Sequence, residues 1–182
     1  MITGREPLNE QKGEAVSNRI ELRDATASDK TFLYELYADS RQAEMELWGW
    51  TMEQAEPFLR MQWEARRGSY ASEFPGASDQ IILFAEKAVG RCLIYTAADH
   101  KRIVDLALVE ASRGQGIGTA ILRRVQQDAA SERLNLKLSV SKDNPARRLY
   151  ERMGFRLTGS NEMYGFMEWV PDEMDDPKEG EY

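Results

Sequence analysis

Apolar residues along this chain change their period several times, and each change marks a new element. Ile20 and Leu22 alternate with charged residues, the pattern of a half-buried strand. Thr26 with Asp29 opens a helix whose inner face is expected to carry Phe32, Leu33, Leu36 and Tyr37. Thr51 with Gln54 opens a second helix, carrying Phe58, Leu59, Met61, Trp63 and Arg66. Pro57 falls inside that segment, so the helix is expected to start or kink there. Residues 68–79, with Pro75 and Gly76, read as a loop. Three strands follow at 80–86, 89–97 and 102–109, and the turns between them, Lys87-Ala88 and residues 98–101, are short enough to imply antiparallel pairing. Ile117, Ile121, Val125 and Ala129 then recur at helical spacing, and Leu134, Leu136, Leu138 and Val140 alternate as a strand. Asn144-Pro145 supplies a cap and a first-turn residue for another helix, Gly154 closes it, and 155–160 and 163–170 finish as two strands.

This order predicts an α/β fold with a mixed, mostly antiparallel sheet of about seven strands flanked by about four helices. One domain is expected over 19–170, between a flexible leader at 1–18 and an acidic, disordered tail at 171–182. Charge changes the picture only at that tail. The net charge is −7, and the tail alone sets six carboxylates against Lys178. The remainder has no basic stripe, so nucleic acid is not an expected partner. No apolar run approaches the roughly 20 residues that span a bilayer, so neither is a membrane. A lone Cys92 forms no internal disulfide and agrees with a reducing compartment, for which the cytoplasm is the default.

The stretch with most chemical content is Arg113-Gly114-Gln115-Gly116-Ile117-Gly118-Thr119, between an apolar strand and a helical stripe. Glycines let the backbone take conformations closed to other residues and let a ligand approach the main chain. A helix start offers N–H groups without internal partners and the positive end of the helix dipole, which together suit a phosphate or pyrophosphate. A P-loop is excluded because no lysine follows the glycines, and the dinucleotide fingerprint fails because Thr119 stands where its third glycine belongs. The pattern that fits is R-x-x-G-x-G, on Arg113, Gly116 and Gly118. It resembles the pyrophosphate-binding motif of the GNAT superfamily of N-acetyltransferases. Residues 144–155 are similar to the N-x-x-A-x-x-L-Y-x-x-x-G-F segment of the same superfamily, with small differences near the asparagine. The order of elements from Ile20 to Val170 also looks like that fold.

The resemblance implies an enzyme that transfers an acetyl group from acetyl-CoA, as co-substrate and without a metal, to a primary amine in a ternary complex. It places pyrophosphate on the backbone of Arg113, Gly114, Gln115, Gly116, Ile117, Gly118 and Thr119. It pairs the pantetheine arm with Leu108 and Val109 and hydrogen-bonds it to Asn144. Tyr150 becomes the general acid for the departing thiolate, a sensible role because a phenol is protonated at neutral pH. From the residues alone, Tyr150 also reads as a core tyrosine, and Asn144 as a helix cap needing no ligand.

Attack on a thioester needs a neutral amine, hence a base or a water. Asp105 interrupts an apolar strand, where a carboxylate is costly unless paired, so it reads either as the base or as an Asp held by an arginine or by backbone donors. His100, Glu46, Glu168 and an ordered water are the alternatives. By the same resemblance the acceptor is shaped by 44–50 and 161–164, with Glu46, Trp48 and Tyr164 as candidate contacts suited to a cationic amine. The expected partner is a small-molecule or protein amine, and a homodimer is compatible. A non-catalytic acyl-CoA sensor on the same fold is the competing reading.

Overall fold

The computed structural model describes residues 16–171; the tail and most of the leader lie outside the described residues. Seven strands form one sheet in the order β1-β2-β3-β4-β5-β7-β6. The elements run β1 (Ile20–Asp24), α1 (Lys30–Leu47), α2 (Met52–Glu73), β2 (Ser78–Phe84), β3 (Lys87–Thr96) and β4 (His100–Leu108). They continue with α3 (Ile117–Ser131), β5 (Asn135–Ser141), α4 (Arg147–Arg152), β6 (Arg156–Ser160) and β7 (Tyr164–Trp169). The chain divides into two compact units. One comprises the residues up to Leu93 with Asp105–Gly118, the other Ile94–Val104 with the residues from Thr119 onward.

In the first unit, α1 and α2 each begin as the sequence predicts. Asp29 closes the turn before α1, accepting from the Thr26 N–H at 2.8 Å and a two-pronged bond from Arg23 at 2.8 and 2.6 Å. The Arg23 guanidinium, then the Thr26 N–H, hold the Asp29 carboxyl well below the usual carboxylate range. Thr51 and Gln54 exchange bonds between side chain and backbone at 3.2 and 2.9 Å. That reciprocal cap starts α2 at Met52, ahead of Pro57, so the proline neither opens the helix nor ends it. The helix also runs on to Glu73, where a loop was expected. Gly68 is unfavourable in a helix by about 1 kcal/mol. Its neighbours offset this, because Tyr70 takes a hydrogen bond from Arg66 at 2.8 Å and its ring lies against Phe74.

Between the helices the buried set is Tyr34, Ala38, Met45, Ala55, Leu59 and Trp63, with Tyr34 and Trp63 edge to face at 5.4 Å. Leu36 is buried as expected and Leu33 and Tyr37 pack against this cluster, while Tyr34 and Ala38 are buried on α1 beyond the expected set. Met61, expected inward, is 62% exposed. In β2, Ile81 and Ile82 point to opposite sides of the sheet and are both fully buried, so this strand is covered on both faces. β2 turns into β3 through Ala85-Glu86, both with positive φ (49° and 67°), rather than through Lys87-Ala88.

In the second unit, Leu136, Leu138 and Val140 of β5 are buried in alternation, and Leu138 stands opposite Met167 of β7. Ile121, Leu122, Val125 and Ala129 form the buried stripe of α3. Gln126, on the same face, donates to the Met153 carbonyl at 2.7 Å and so ties α3 to the end of α4. β4 and β5 are parallel, with register from His100↔Asn135 to Ile103↔Leu138. Both strands continue past that last pair, to Leu108 and Ser141.

Candidate active site

After β4 the chain makes a short turn at Glu110–Ser112 and enters α3 at Ile117. Gly114 and Gly116 have φ of +73° and +85°, the left-handed region that L side chains avoid. Among the described residues, an added Cβ at Gly114 would meet nothing within 4 Å, and at Gly116 only Val16 Cγ1 at 4.0 Å. These glycines are therefore required by conformation and not by crowding. The first four N–H groups of a helix have no intrahelical acceptor, and the first turn of α3 holds no acidic side chain that would occupy or repel there. The Arg113 N–H donates to Glu110 O at 3.0 Å, so the donors for an anion are those from Gly114 onward. The Arg113 side chain braces the turn, giving Nε to Leu108 O at 3.0 Å and Nη2 to Asp39 at 3.2 Å.

Leu108 and Val109 differ from expectation in what their backbone is free to do. Val109 N donates to Val89 O at 2.9 Å and its carbonyl accepts from Ser112 N at 3.0 Å, while Leu108 O holds Arg113. Strand-like pairing with a ligand at these two residues would compete with bonds inside the chain.

In the second unit Asn144 accepts from Ala146 N at 2.9 Å through its side-chain oxygen. α4 starts at Arg147, later than Pro145, because this local bond closes a turn before helical bonding begins. Tyr150 is 8% exposed, and its ring meets Phe155 edge to face at 5.7 Å. Gly154, φ +84°, ends the helix and lets Phe155 N return to Tyr150 O at 3.0 Å.

Asp105 sits between two guanidiniums. Its Oδ1 accepts from Arg66 at 3.1 Å and its Oδ2 from Arg91 at 3.3 Å, and Arg91 forks onto Asp79 at 2.7 and 2.8 Å. Both oxygens are engaged, the arrangement of a carboxylate held for structure. Tyr70, Asp79 and Arg91 were not singled out by sequence patterns, and Arg66 was placed only on the second helix; the cost of Asp105 in an apolar strand was what pointed to them. Asp79, Arg91 and Tyr70 also line a depression of about 540 Å³ with Arg67, Phe74 and Leu93.

The other candidate bases are engaged too. His100 bonds Asp99 at 2.8 Å. Glu168 accepts from Asn135 at 3.1 Å. Glu46 accepts from Gln42 at 2.9 Å. Trp48 and Trp50, 49% and 41% exposed, lie edge to face at 6.0 Å, and Phe58 is 5.7 Å from Trp50. Tyr164, 42% exposed, follows a turn in which Asn161 takes its N–H at 2.7 Å.

A glycine turn between a strand and a helix, in a mixed seven-stranded sheet of this order, is the arrangement that comparison with known proteins can place. Residues 78–157 match the family model of the acetyltransferase (GNAT) domain, a span that holds both the glycine turn and Tyr150. Solved structures agree on the fold. The PaiA N-acetyltransferase of Thermoplasma acidophilum, in complex with coenzyme A, is 16% identical with a TM-score of 0.65, over 83% of this chain and 98% of that one. A GNAT acetyltransferase of Elizabethkingia anophelis with acetyl-CoA bound is 15% identical, TM-score 0.57, over 84% and 99%. The ribosomal-protein-S18-alanine N-acetyltransferase of Escherichia coli is 15% identical, TM-score 0.58, over 90% and 99%. No curated protein sequence matches the chain.

Proposed function

We propose that the chain transfers an acetyl group from acetyl-CoA to a primary amine by direct attack in a ternary complex. The observation that carries this is the glycine turn, whose two left-handed glycines lead into a helix start with no acidic side chain in its first turn. In this reading Gly114, Gln115, Gly116, Ile117, Gly118 and Thr119 meet the pyrophosphate, and Arg113 holds the turn to the end of β4. The pantetheine arm pairs with β4 ahead of Val109, and Asn144 is the polar contact that the family segment implies for it. The amine nitrogen attacks the thioester carbon, the C–N bond forms as the C–S bond breaks, and Tyr150 donates its proton to the thiolate. An ordered water takes the amine proton, since Asp105 is committed to Arg66 and Arg91. Most of the rate then comes from positioning two bound reactants. Trp48, Trp50 and Glu46 suit a cationic amine, and Tyr164 is a further candidate contact by the family resemblance alone.

The test is release of free CoA from acetyl-CoA across a panel of small amines and peptide N-termini. Amine-dependent release is expected, with kcat about 100-fold lower in Tyr150→Phe and acetyl-CoA affinity unchanged. Binding of acetyl-CoA without release for any amine would overturn transfer and leave a sensor.

A further inference from the structure

We propose that Asp39, on α1, is a positioning residue for the glycine turn, fixing the donors that meet pyrophosphate without touching the ligand. The proposal rests on the acyl-CoA reading above. A single oxygen, Asp39 Oδ2, accepts from Glu110 N at 3.2 Å and from Arg113 Nη2 at 3.2 Å. Glu110 opens the short turn that leaves β4, and Arg113 is the residue after which the glycines begin. Asp39 therefore holds both ends of the segment on which the glycine turn stands. Arg113 is fixed a second time, through Nε to Leu108 O at 3.0 Å, so its guanidinium links the end of β4 to α1.

Within the turn itself the Gln115 side chain donates to Ala111 O at 2.7 Å, but its two left-handed glycines have no side chains to pack. Among the described residues, neither Gly114 nor Gly116 has a neighbour nearer than 4.0 Å to where a Cβ would stand. A loop with that freedom loses conformational entropy when it orders around a ligand, unless its ends are set beforehand. α3 sets one end, and the Asp39–Arg113 pair sets the other. Residue choice agrees with this. Aspartate is a poor helix former, yet Asp39 stands inside α1 rather than at its start, so its bonds outside the helix are what recommend it. A bare carboxylate near a pyrophosphate would repel it; here the paired Arg113 cancels that charge.

The experiment compares acetyl-CoA with S-acetylpantetheine, which has the thioester and arm but no pyrophosphate. Asp39→Ala is expected to raise Kd and KM for acetyl-CoA about tenfold while kcat at saturation stays within about twofold. Its kcat/KM for S-acetylpantetheine should stay at the wild-type value. Asp39→Asn, which keeps an acceptor oxygen, should recover most of the loss; it also serves if the alanine variant folds poorly. Equal weakening towards both donors would mean a general structural role and overturn the proposal. So would acetyl-CoA binding as tight as wild type or tighter, the latter showing Arg113 freed to meet phosphate itself. Wild-type protein that binds no acetyl-CoA would sink the acyl-CoA reading, and this one with it.

Discussion

The glycine turn and the Arg66–Asp105–Arg91–Asp79 network lie in one compact unit and handle charge in opposite ways. In the network every carboxylate has a guanidinium, and the sum is neutral. The Arg91 and Asp105 side chains are only 13% and 17% exposed, and their partners leave little for a ligand to bind. In the turn the charge is partial and belongs to backbone N–H groups, and no acidic side chain stands in the first turn of α3. Saturated charges contribute to stability, whereas dipoles left open are available for binding. The comparison separates the part of this unit that holds the fold from the part that holds the ligand.

Substitutions can break that separation, and the largest effect belongs to the turn. Gly116→Glu sets an anion among the donors and forces a side chain into positive φ, so kcat/KM for acetyl-CoA should fall more than about 100-fold. Gly116→Ala carries the backbone strain without the charge, and its loss should be intermediate. In the network, Asp105→Ala leaves Arg91 with Asp79 alone and takes the ion-pair partner from a half-exposed Arg66. We expect about 2 kcal/mol of lost stability by urea denaturation, a value reduced for solvent screening, with kcat of the folded enzyme retained. Lost kcat at unchanged stability would make Asp105 the base instead.

The next effect is on reactivity. Burial, helped by the nearby Asp105 and Asp79 charges, pushes the Cys92 thiol up to about 12. Cys92 should resist iodoacetamide in native protein at neutral pH and react only as urea unfolds it. The smallest effect concerns Asp29, whose carboxyl is held below its ordinary range. Its contribution is present above about pH 4 and is lost as pH falls towards the folded value. Asp29→Asn should therefore show a shallower drop in urea midpoint between pH 5 and pH 3 than wild type, roughly in proportion to that loss.

What could be seen in the sequence follows the same division. The turn is written in consecutive residues, and its helix in a four-residue stripe, because backbone conformation and helix burial are local properties. The Thr51–Gln54 cap was legible for that reason. The network was not, since its bonds join residues 39, 14 and 12 positions apart and no spacing rule links them. The Ala85-Glu86 turn was missed because neither residue belongs to the Asn, Asp and Gly set that favours positive φ. The length of α2 was missed because Gly68 looked like a breaker, while Arg66, Tyr70 and Phe74 hold the last turns by contacts that pattern alone does not reveal. The acceptor residues remain the least legible. Exposed Trp48 and Trp50 are defined by what they leave uncovered, and such surface has no periodic signature.

The most direct test of the account is calorimetric titration of acetyl-CoA into the wild-type chain and into Gly116→Glu. The account predicts roughly micromolar binding to wild type at one site per chain, and none in the variant at the same folded fraction. Equal binding by both proteins would place the ligand away from the glycine turn, and no binding by either would contradict the acyl-CoA reading altogether.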